Sequence, residues 1–494
     1  MTRYTLLTLL LLPVLVTCQT RRLQLLNVNM IVLTGYTAPR DNIVKRPSEQ
    51  IIGNVSYNSL LDSGKRQMYI LGKRYRKEFS TFLASIKGTS NSISIRALNN
   101  MPGVMSAWAL SLGMLPDNQK LDTPYPTEKA KPRFAGKAPS PVNFTSPLPA
   151  SEPLKRISFS DFEQTDYLFQ LSSLYTCPNF NINIVKKEIK RLSKKFTFDE
   201  SFNKVSEYMQ YDPENIDSMK STSKLYRSSR LFEFLEAMNS VGLNTKFPTS
   251  SKEYKDLQVA HEAYMTSITA NSDTLNLLNS PIASLILQNI DHTRGISEKS
   301  QDEGKKMNIY MGHQKFMIGI LNFLGLYKPE CAYKPYTDGT ESPSTCVEFP
   351  RPGASILIEF YKEDFGTDIK PAFSNYYVNI QYNGRSVGLG QKSMNNNDED
   401  GLIEYDEFVR FLNAKIIRNW EGACGLGEIE KADSQERSSI TWVILLVVFN
   451  IIVFISLGCT MICFKLMSKA SMIEDKPEND RCSTDLKIKL SENN

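Results

Sequence analysis

The sequence predicts an α/β protein: a sheet flanked by helices, with an inserted helical domain and one transmembrane helix near the carboxyl end. Strand and helix patterns alternate between residues 23 and 116, which predicts βαβ units. Helical patterns dominate residues 158–300, and strand patterns return after them. The segment Ile440 to Phe464 has no charged residue over about 25 positions, which is long enough to cross a membrane.

The composition is typical of a globular protein with a large core. Of the 494 residues, 41% are apolar and 22% are charged, which suits one large unit with an insertion. The net charge of +5 is small for this length, and no basic run alternates with aromatic residues. We therefore expect no binding of nucleic acid. No cofactor is predicted.

The first alternation contains two strands and two helices. Leu23 to Leu33 is an apolar, β-branched run without helical period, which is typical of a buried parallel strand. Residues 64–79 repeat apolar side chains at helical spacing. The alternating strand Ser92 to Arg96 and the helical segment Val104 to Leu115 follow. Because ligands of such sheets bind beyond the carboxyl ends of the strands, a site is expected where these two strands end.

The remaining patterns predict a connection, an insertion and a return to the sheet. Residues 116–153 are rich in proline, which predicts an extended surface connection. Helical segments such as Phe232 to Met238 and Leu275 to Asn289 predict the insertion, and Met307 to Tyr310 predicts the returning strand. An antiparallel edge meander is predicted from Ile356 to Tyr361, Tyr376 to Tyr382, the turn Asn383-Gly384 and Arg385 to Leu389.

Four blocks of sequence occur in an order that is typical of one enzyme family. Ile31 to Pro39 read I-V-L-T-G-Y-T-A-P, which keeps the Gly and Pro of the motif R-H-G-x-R-x-P. Leu60 to Phe79 follow L-T-x-x-G-x-x-Q-x-x-x-L-G-x-x-x-R-x-x-Y, and Ile95 to Pro116 follow V-R-S-T-D-x-x-R-T-x-x-S-A-x-x-x-x-x-G-x-x-P. His313-Gln314 stands at the position of a His-Asp pair. With these blocks the chain resembles the histidine acid phosphatases, of the branch 2 histidine phosphatase superfamily, over about residues 23–430.

The resemblance implies a phosphoglycerate-mutase-like sheet flanked by helices, with an α-helical cap inserted into it. The α/β core is then expected at about residues 23–116 and 301–430. The linker and the cap are expected at about residues 117–300. The family's fold and the patterns read from the residues therefore agree.

The resemblance also implies a phosphate pocket that is altered. In the family a histidine attacks phosphorus, arginines hold the phosphate, and an aspartic acid protonates the leaving alcohol. Two arginines, the nucleophile and the proton donor are replaced here by Leu33, Thr37, Thr34 and Gln314. The family's residue is kept at Arg96 and His313. A threonine hydroxyl without a neighbouring base is a poor nucleophile, and an amide cannot give up a proton, so impaired catalysis is expected.

Three functions are compatible with these residues. The first is a pseudophosphatase that acts by binding a phosphate-bearing ligand or a protein partner. The second is an active acid phosphatase that hydrolyses phosphomonoesters with an altered site. Neither of the other histidines, His261 in the helical insertion and His292 in a polar stretch, is expected to replace the nucleophile.

The third function is a calcium-modulated adhesion or receptor ectodomain. An EF-hand-like loop has side-chain oxygens at calcium-binding spacing at Asn396, Asp398, Asp400 and Glu407. Its first position is Asn, no helix is predicted before it, and no second loop accompanies it. These features favour the alternative, an acidic surface loop that caps the helix Tyr405 to Ile417.

Two apolar segments predict the topology. Met1 to Cys18 begins with a charge and continues with an apolar run, which is typical of a secretory signal peptide. Lys465 and Lys469 follow the predicted span Ile440 to Phe464, so the tail 465–494 should be cytoplasmic. The chain is therefore predicted to be a single-pass type I membrane protein. Its ectodomain, residues 19–436, would be extracellular or in the lumen of the secretory pathway or lysosome.

Four cysteines of the ectodomain suit an oxidising compartment. Cys331 and Cys346 flank a loop rich in Pro, Ser and Thr, which favours a bond between them and leaves Cys177 for Cys424. The family resemblance supports the second pair, because Cys177 to Phe180 is similar to the family's C-P-x-F. Two sequons predict N-glycosylation at Asn54 and Asn143.

Overall fold

A computed structural model describes more than half of the chain. The described residues are 22–40, 42–45, 55–86, 92–98, 100–115, 157–159, 177–196, 198–212, 223–243, 246–295, 305–338, 346–364, 375–390, 401–425 and several between 448 and 462. They belong to two compact units, Met1–Gly425 and Leu426–Asn494. Several predicted features lie outside the described residues: the signal peptide 1–18, the sequons at Asn54 and Asn143, the loop residues Asn396, Asp398 and Asp400, and the tail 465–494.

The described strands of the first unit form one eight-stranded mixed sheet. They are β1 (Arg22–Leu33), β2 (Ile93–Ala97), β3 (Ile157–Phe159), β4 (Met307–Gly312), β5 (Ser355–Asp364), β6 (Tyr376–Tyr382), β7 (Arg385–Ser386) and β8 (Leu402–Glu404). The order across the sheet is β3-β2-β4-β1-β5-β6-β7, and β8 pairs with β6. The first four strands are parallel to one another, whereas β5 to β8 are joined by antiparallel pairs.

Helices lie on both faces of this sheet and between its strands in the chain. They are α1 (Asp62–Glu78), α2 (Ser80–Ser85), α3 (Met101–Met114), α4 (Ile182–Lys195), α5 (Asp199–Met209), α6 (Lys224–Ser240), α7 (Lys252–Thr266), α8 (Ser272–Thr293), α9 (Gln314–Phe323), α10 (Pro329–Asp338), α11 (Tyr405–Asn413) and α12 (Trp420–Cys424). A short 3₁₀ turn, Ser267–Thr269, joins α7 to α8. The predicted α/β class with flanking helices is confirmed.

The central strand β1 has the burial that its composition predicts. It pairs in parallel with β4 on one side and antiparallel with β5 on the other, so both of its edges are covered. Its carboxyl half, from Asn27 to Leu33, is buried. A strand covered on both edges and both faces needs continuous apolar character, which is the pattern the sequence carries.

One face of the sheet packs against α1 and α3. Alternate residues of the parallel strands, such as Met30, Ile95 and Ile309, join one buried apolar cluster with Met68 of α1 and Trp108 of α3. The period of two in the strands and of about 3.6 in the helices places these side chains on facing surfaces. This cluster is the core that fixes the strand ends.

The helix α3 begins three residues earlier than its apolar pattern predicts. Asn100 is its N-cap, and the Asn100 side chain accepts a hydrogen bond of 2.8 Å from the backbone N–H of Gly103. Pro102 lies in the first turn, where its missing N–H costs nothing. The start of the helix is therefore set by capping residues rather than by apolar side chains.

The opposite face of the sheet carries a buried polar network under α8. The amide of Asn289 donates hydrogen bonds to the side chain of Asn29, at 2.9 Å, and to the hydroxyl of Tyr310, at 2.8 Å. Asn29 in turn donates to the Asn27 side chain at 2.8 Å. Because buried amides need partners, these side chains fix the position of α8 on the sheet.

A second apolar cluster lies within the helices that follow the sheet segments. Phe232 and Leu235 of α6 and Leu257 of α7 are buried in it, together with Ile43 and Val44. The chain that leaves β1 therefore runs under these helices. This arrangement puts α6 and α7 beside the carboxyl end of β1.

Three elements differ from their predicted form. The strand β3 lies in the segment that was assigned to the linker and cap, and it pairs in parallel with β2. The third strand of the meander is shortened to Arg385–Ser386. The helix α11 ends at Asn413 rather than Ile417, and the residue before it, Glu404, forms no side-chain cap. The predicted turn is present, with a positive φ of 52° at Asn383 and 79° at Gly384.

Both predicted disulfides are confirmed. Cys177 is bonded to Cys424 across a separation of 247 residues, and Cys331 is bonded to Cys346 across 15 residues. The first bond ties the segment before α4 to the end of the unit. The second closes a short loop after α10.

The second unit is described only in part, between residues 448 and 462. Most of the predicted span Ile440 to Phe464 thus lies outside the described residues. Within the described part of the chain, no helix combines the length and the apolar character needed to cross a bilayer.

Candidate functional site

The carboxyl ends of three neighbouring strands meet at one edge of the sheet. In β1 and β4, Leu33 is paired with Gly312, and the backbone N–H of Thr34 donates to the Gly312 carbonyl at 3.2 Å. The backbone N–H of Leu98, which follows β2, donates to the Met311 carbonyl at 3.0 Å. The residues that leave these strands are therefore adjacent, as the βαβ pattern predicts.

The turn after β1 is shaped by a close approach to α1. A Cβ atom on Gly35 would lie 2.6 Å from the carbonyl oxygen of Gly64, and one on Gly64 would lie 2.2 Å from that of Tyr36. The backbone N–H of Gly35 donates to the hydroxyl of Ser106 at 3.2 Å. Glycine is needed at both positions because only the bare backbone fits. The Gly of the motif is thus explained by packing.

The three predicted site residues of this turn, Leu33, Thr34 and Thr37, differ in environment. Leu33 is buried, with 3% of its surface exposed. Thr34 is half-buried, and its hydroxyl forms no hydrogen bond with any residue that the structure describes. Thr37 is half-buried and its backbone bridges Leu60. The turn after β1 therefore places one buried apolar side chain, Leu33, and two half-buried threonines at this edge of the sheet.

His313 begins α9 as its N-cap. The backbone N–H of Phe316 donates to His313 Nδ1 at 3.1 Å. A ring nitrogen that accepts must be unprotonated, so the remaining proton of the neutral ring is on Nε2. Desolvation by burial, together with the positive charges of Lys315 and Arg40, lowers the pKa of His313 to about 4. The ring is thus a neutral hydrogen-bond donor over most of the physiological range.

Gln314 uses both ends of its amide. Its Nε2 donates to the backbone carbonyl of Pro350 at 2.9 Å, and its Oε1 lies 2.8 Å from His261 Nε2. Because a backbone carbonyl can only accept, the orientation of the amide is fixed and His261 Nε2 must donate. His261 Nδ1 then accepts from the hydroxyl of Ser229 at 2.9 Å. We call this chain, Ser229 to His261 to Gln314 to Pro350, the amide relay.

The amide relay links the helices to the sheet through a buried histidine. His261 is 2% exposed, and its ring centroid lies 5.0 Å from that of Phe232 and 6.0 Å from that of Phe349. Burial lowers the pKa of this imidazole, which keeps it neutral. No sequence pattern predicts this contact, since His261 and Gln314 are 53 residues apart.

A buried arginine lies beside the amide relay, and the sequence motifs did not predict it. Arg351 is 9% exposed, and its two terminal nitrogens lie 3.2 Å from a carboxylate oxygen of Glu236 and 3.3 Å from one of Glu262. The guanidinium also lies over the rings of Phe232 and Phe349. Both carboxylates come from helices α6 and α7, so this cluster joins the two layers of the unit.

Two cations, Lys315 and Arg40, act on His313, and a third, Arg96, lies on the neighbouring strand β2. Arg96 is half-buried and is paired in register with Tyr310, three residues before His313. Lys315 Nζ lies 5.5 Å from the ring centroid of Tyr264. Burial raises the pKa of that phenol to about 12, and the charge of Arg40 acts in the opposite direction. The positive charge next to His313 is therefore supplied by Lys315 and Arg40.

A metal centre has no support in the described part of the chain, where no group of three His, Cys, Asp or Glu side chains could hold an ion. The calcium hypothesis depends on Asn396, Asp398 and Asp400, which lie outside that part. Glu407, the last position of the loop, is in the first turn of α11. An acidic residue there favours the helix through its dipole.

We call the site formed by Leu33, Thr34, Thr37, His313 and Gln314, just beyond the ends of β1 and β4, the strand-end pocket. The fold and this site indicate the class of protein. The sequence profile of the histidine phosphatase superfamily (branch 2) matches residues 22–383. The chain belongs to this superfamily. Comparison with curated protein sequences returns no match.

Solved structures of phytases and related phosphatases share the fold. The phytase of Citrobacter braakii aligns with a TM-score of 0.50 at 13% identity, covering 82% of this chain and 99% of its own. The phytase of Klebsiella sp. ASR1 aligns with a TM-score of 0.50 at 13% identity, covering 81% and 98%. The multiple inositol polyphosphate phosphatase of Bifidobacterium longum, in complex with phosphate, aligns with a TM-score of 0.50 at 11% identity, covering 79% and 92%. At these identities the likeness concerns the fold.

Proposed function

We propose that the chain is a catalytically impaired histidine phosphatase that acts by binding a phosphate-bearing ligand or a protein partner. We further propose that it is a single-pass type I membrane protein whose ectodomain is extracellular or in a secretory or lysosomal lumen. The location rests on the predicted signal peptide and span. The two disulfides support it, because such bonds persist in oxidising compartments.

The amide relay is the observation that carries the functional proposal. A general acid must hold a transferable proton and reach the leaving oxygen. Gln314 stands at the family's proton-donor position, yet its amide donates to Pro350 and accepts from His261. Both ends of the side chain are therefore engaged in contacts that connect α7 with the segment before β5. An amide in this role supports binding rather than proton transfer.

The nucleophile position supports the same proposal. A hydroxyl becomes nucleophilic when a base removes its proton, and none of the described residues accepts a hydrogen bond from Thr34. Leu33 is buried where the family has an arginine, so one phosphate-holding charge is replaced by an apolar side chain. Charge-assisted contacts contribute about 1.5–3 kcal/mol each, so their loss weakens transition-state binding strongly.

Anion binding remains compatible with this edge of the sheet. Arg40 and Lys315 supply positive charge beside His313, and the neutral ring of His313 can donate one hydrogen bond from Nε2. A ligand phosphate carries the acceptor oxygens that such donors recognise. We therefore assign a phosphate-bearing ligand to this pocket.

The test is hydrolysis of p-nitrophenyl phosphate by the purified protein from pH 4 to pH 8. We expect no turnover above a mock purification. A variant that restores the four family residues, Leu33→Arg, Thr34→His, Thr37→Arg and Gln314→Asp, should gain activity. The matched control carries the same changes but keeps Thr34, and it should stay silent because it lacks the nucleophile. Wild-type turnover that His313→Ala abolishes would overturn the proposal and favour an active acid phosphatase.

A further inference from the structure

The helix α4 has an exposed face that is strongly basic. Its 14 residues contain six cations, at Lys186, Lys187, Lys190, Arg191, Lys194 and Lys195, and one carboxylate, Glu188. All six cations are exposed. The helix has a net charge of +5, which equals the net charge of the whole chain. The positive and negative charges of all the other residues therefore cancel.

The six cations occupy one side of the helix. At 3.6 residues per turn, Lys186, Lys190 and Lys194 form one row along the axis, and Lys187, Arg191 and Lys195 form the adjacent row. The two rows extend over about 13 Å at 1.5 Å per residue. The opposite side holds Val185 and Leu192, which are 7% and 0% exposed and attach the helix to the protein. We call the two rows the basic face.

The described residues around α4 neutralise little of this charge. Arg191 forms a bidentate contact with Glu188, at 2.6 and 2.7 Å, and Lys195 lies 4.6 Å from the ring centroid of Tyr333. Lys186, Lys187, Lys190 and Lys194 contact no carboxylate among the residues described. Like charges three and four residues apart repel one another and weaken a helix. A surface that keeps four such lysines is therefore suited to a ligand that supplies negative charge.

We propose that the basic face binds a linear sulfated polysaccharide. Two rows of cations match a chain that repeats its anionic groups at short intervals, and clusters of Lys and Arg in short segments are typical of heparin-binding patches. The two disulfides indicate an oxidising compartment. In the topology that we propose, nucleic acids and the anionic lipids of the cytoplasmic leaflet are on the other side of the membrane from this helix. This site is independent of the strand-end pocket and does not depend on its chemistry.

The test is binding of the full-length protein, in nonionic detergent, to heparin between 50 and 300 mM NaCl. Four to six ionic contacts predict that the logarithm of the association constant falls with the logarithm of salt concentration with a slope of about −3 to −4. The variant Lys186→Gln, Lys187→Gln, Lys190→Gln, Lys194→Gln should lose at least about tenfold in affinity, and its slope should fall to about −1. Glutamine is a good helix former, and unchanged circular dichroism checks that the variant folds.

A second variant controls for total charge. Lys73→Gln, Arg74→Gln, Arg76→Gln, Lys77→Gln removes four exposed cations from α1, and it should bind heparin within about twofold of wild type. An equal loss of heparin affinity in the two variants would overturn the assignment of the site to α4. Unchanged binding of chemically desulfated heparin would overturn the role of sulfate. Tighter binding to phosphatidylserine vesicles or to single-stranded DNA, at the same salt, would overturn the class of partner.

Discussion

The N-cap histidine predicts a specific dependence of stability on pH. In the folded protein the pKa of His313 is lowered from 6.5 to about 4 by burial and by the charges of Lys315 and Arg40. In the unfolded chain the imidazole titrates at its ordinary value. Because the folded pKa is the lower one, the stabilisation is complete above about pH 6.5 and is lost as the pH falls towards 4.

The magnitude follows from the two pKa values. The interval between 6.5 and about 4, at about 1.4 kcal/mol for each pH unit, corresponds to roughly 3 kcal/mol of unfolding free energy. This loss should appear between pH 6.5 and pH 4. It is large compared with the total stability of about 5–15 kcal/mol that is typical of folded proteins.

The variant His313→Asn isolates this contribution. Asparagine is among the preferred N-cap residues, so the bond to the N–H of Phe316 can be kept while the titrating group is removed. Urea unfolding, followed by tryptophan fluorescence at pH 7 and at pH 4, gives the free energy of unfolding of both proteins. Wild type should lose roughly 3 kcal/mol more than the variant on acidification, and other titrating groups cancel in the difference. Parallel losses in the two proteins would refute the neutral, capping role of His313.

Three further predictions concern the relay, the buried arginine and the calcium hypothesis. Gln314→Ala should lower the free energy of unfolding by about 1–3 kcal/mol, because the carbonyl of Pro350 and His261 Nε2 lose their hydrogen-bond partner. An unchanged urea midpoint would contradict the amide relay. Arg351→Met should lower the free energy of unfolding by about 3–5 kcal/mol, because Glu236 and Glu262 lose the cation that both of them contact in a largely buried cluster. Adding Glu236→Gln and Glu262→Gln should recover part of this loss, and no recovery would argue against the cluster. If the acidic loop binds calcium, millimolar Ca²⁺ should raise the melting temperature of wild type and not of Asp398→Ala, and an equal response of the two would exclude the loop as the site.

Much of the fold follows from periodicity in the sequence. The apolar run that becomes β1, the helical spacing of α1 and the meander strands β5 and β6 are local patterns, so their positions were predicted to within a few residues. The strand β3 was not predicted, because three residues are too few to show a periodic pattern. Its pairing with β2 is a property of the neighbouring strand.

The candidate site was likewise predicted only in part. The motif positions Thr34, Arg96 and His313 were located from the sequence, because each lies at or just beyond the end of a predicted strand. The partners of Gln314 and the ion pairs of Arg351 were not predicted, because they join segments that are 36 to 115 residues apart. No local pattern encodes which side chains meet across such a distance.

The sequence by itself determined the α/β class and the order of its motifs, and it predicts that the family's residues are replaced at four positions, since each of these features depends on local composition or spacing. Only the tertiary structure decided which contacts the side chains at those positions make. It gives Gln314 a role as a link between helices and sheet, makes His313 a neutral cap, and aligns the lysines of α4 on one surface. Burial and close contact between distant segments set these roles, because hydrogen-bond partners and local dielectric depend on what surrounds a side chain.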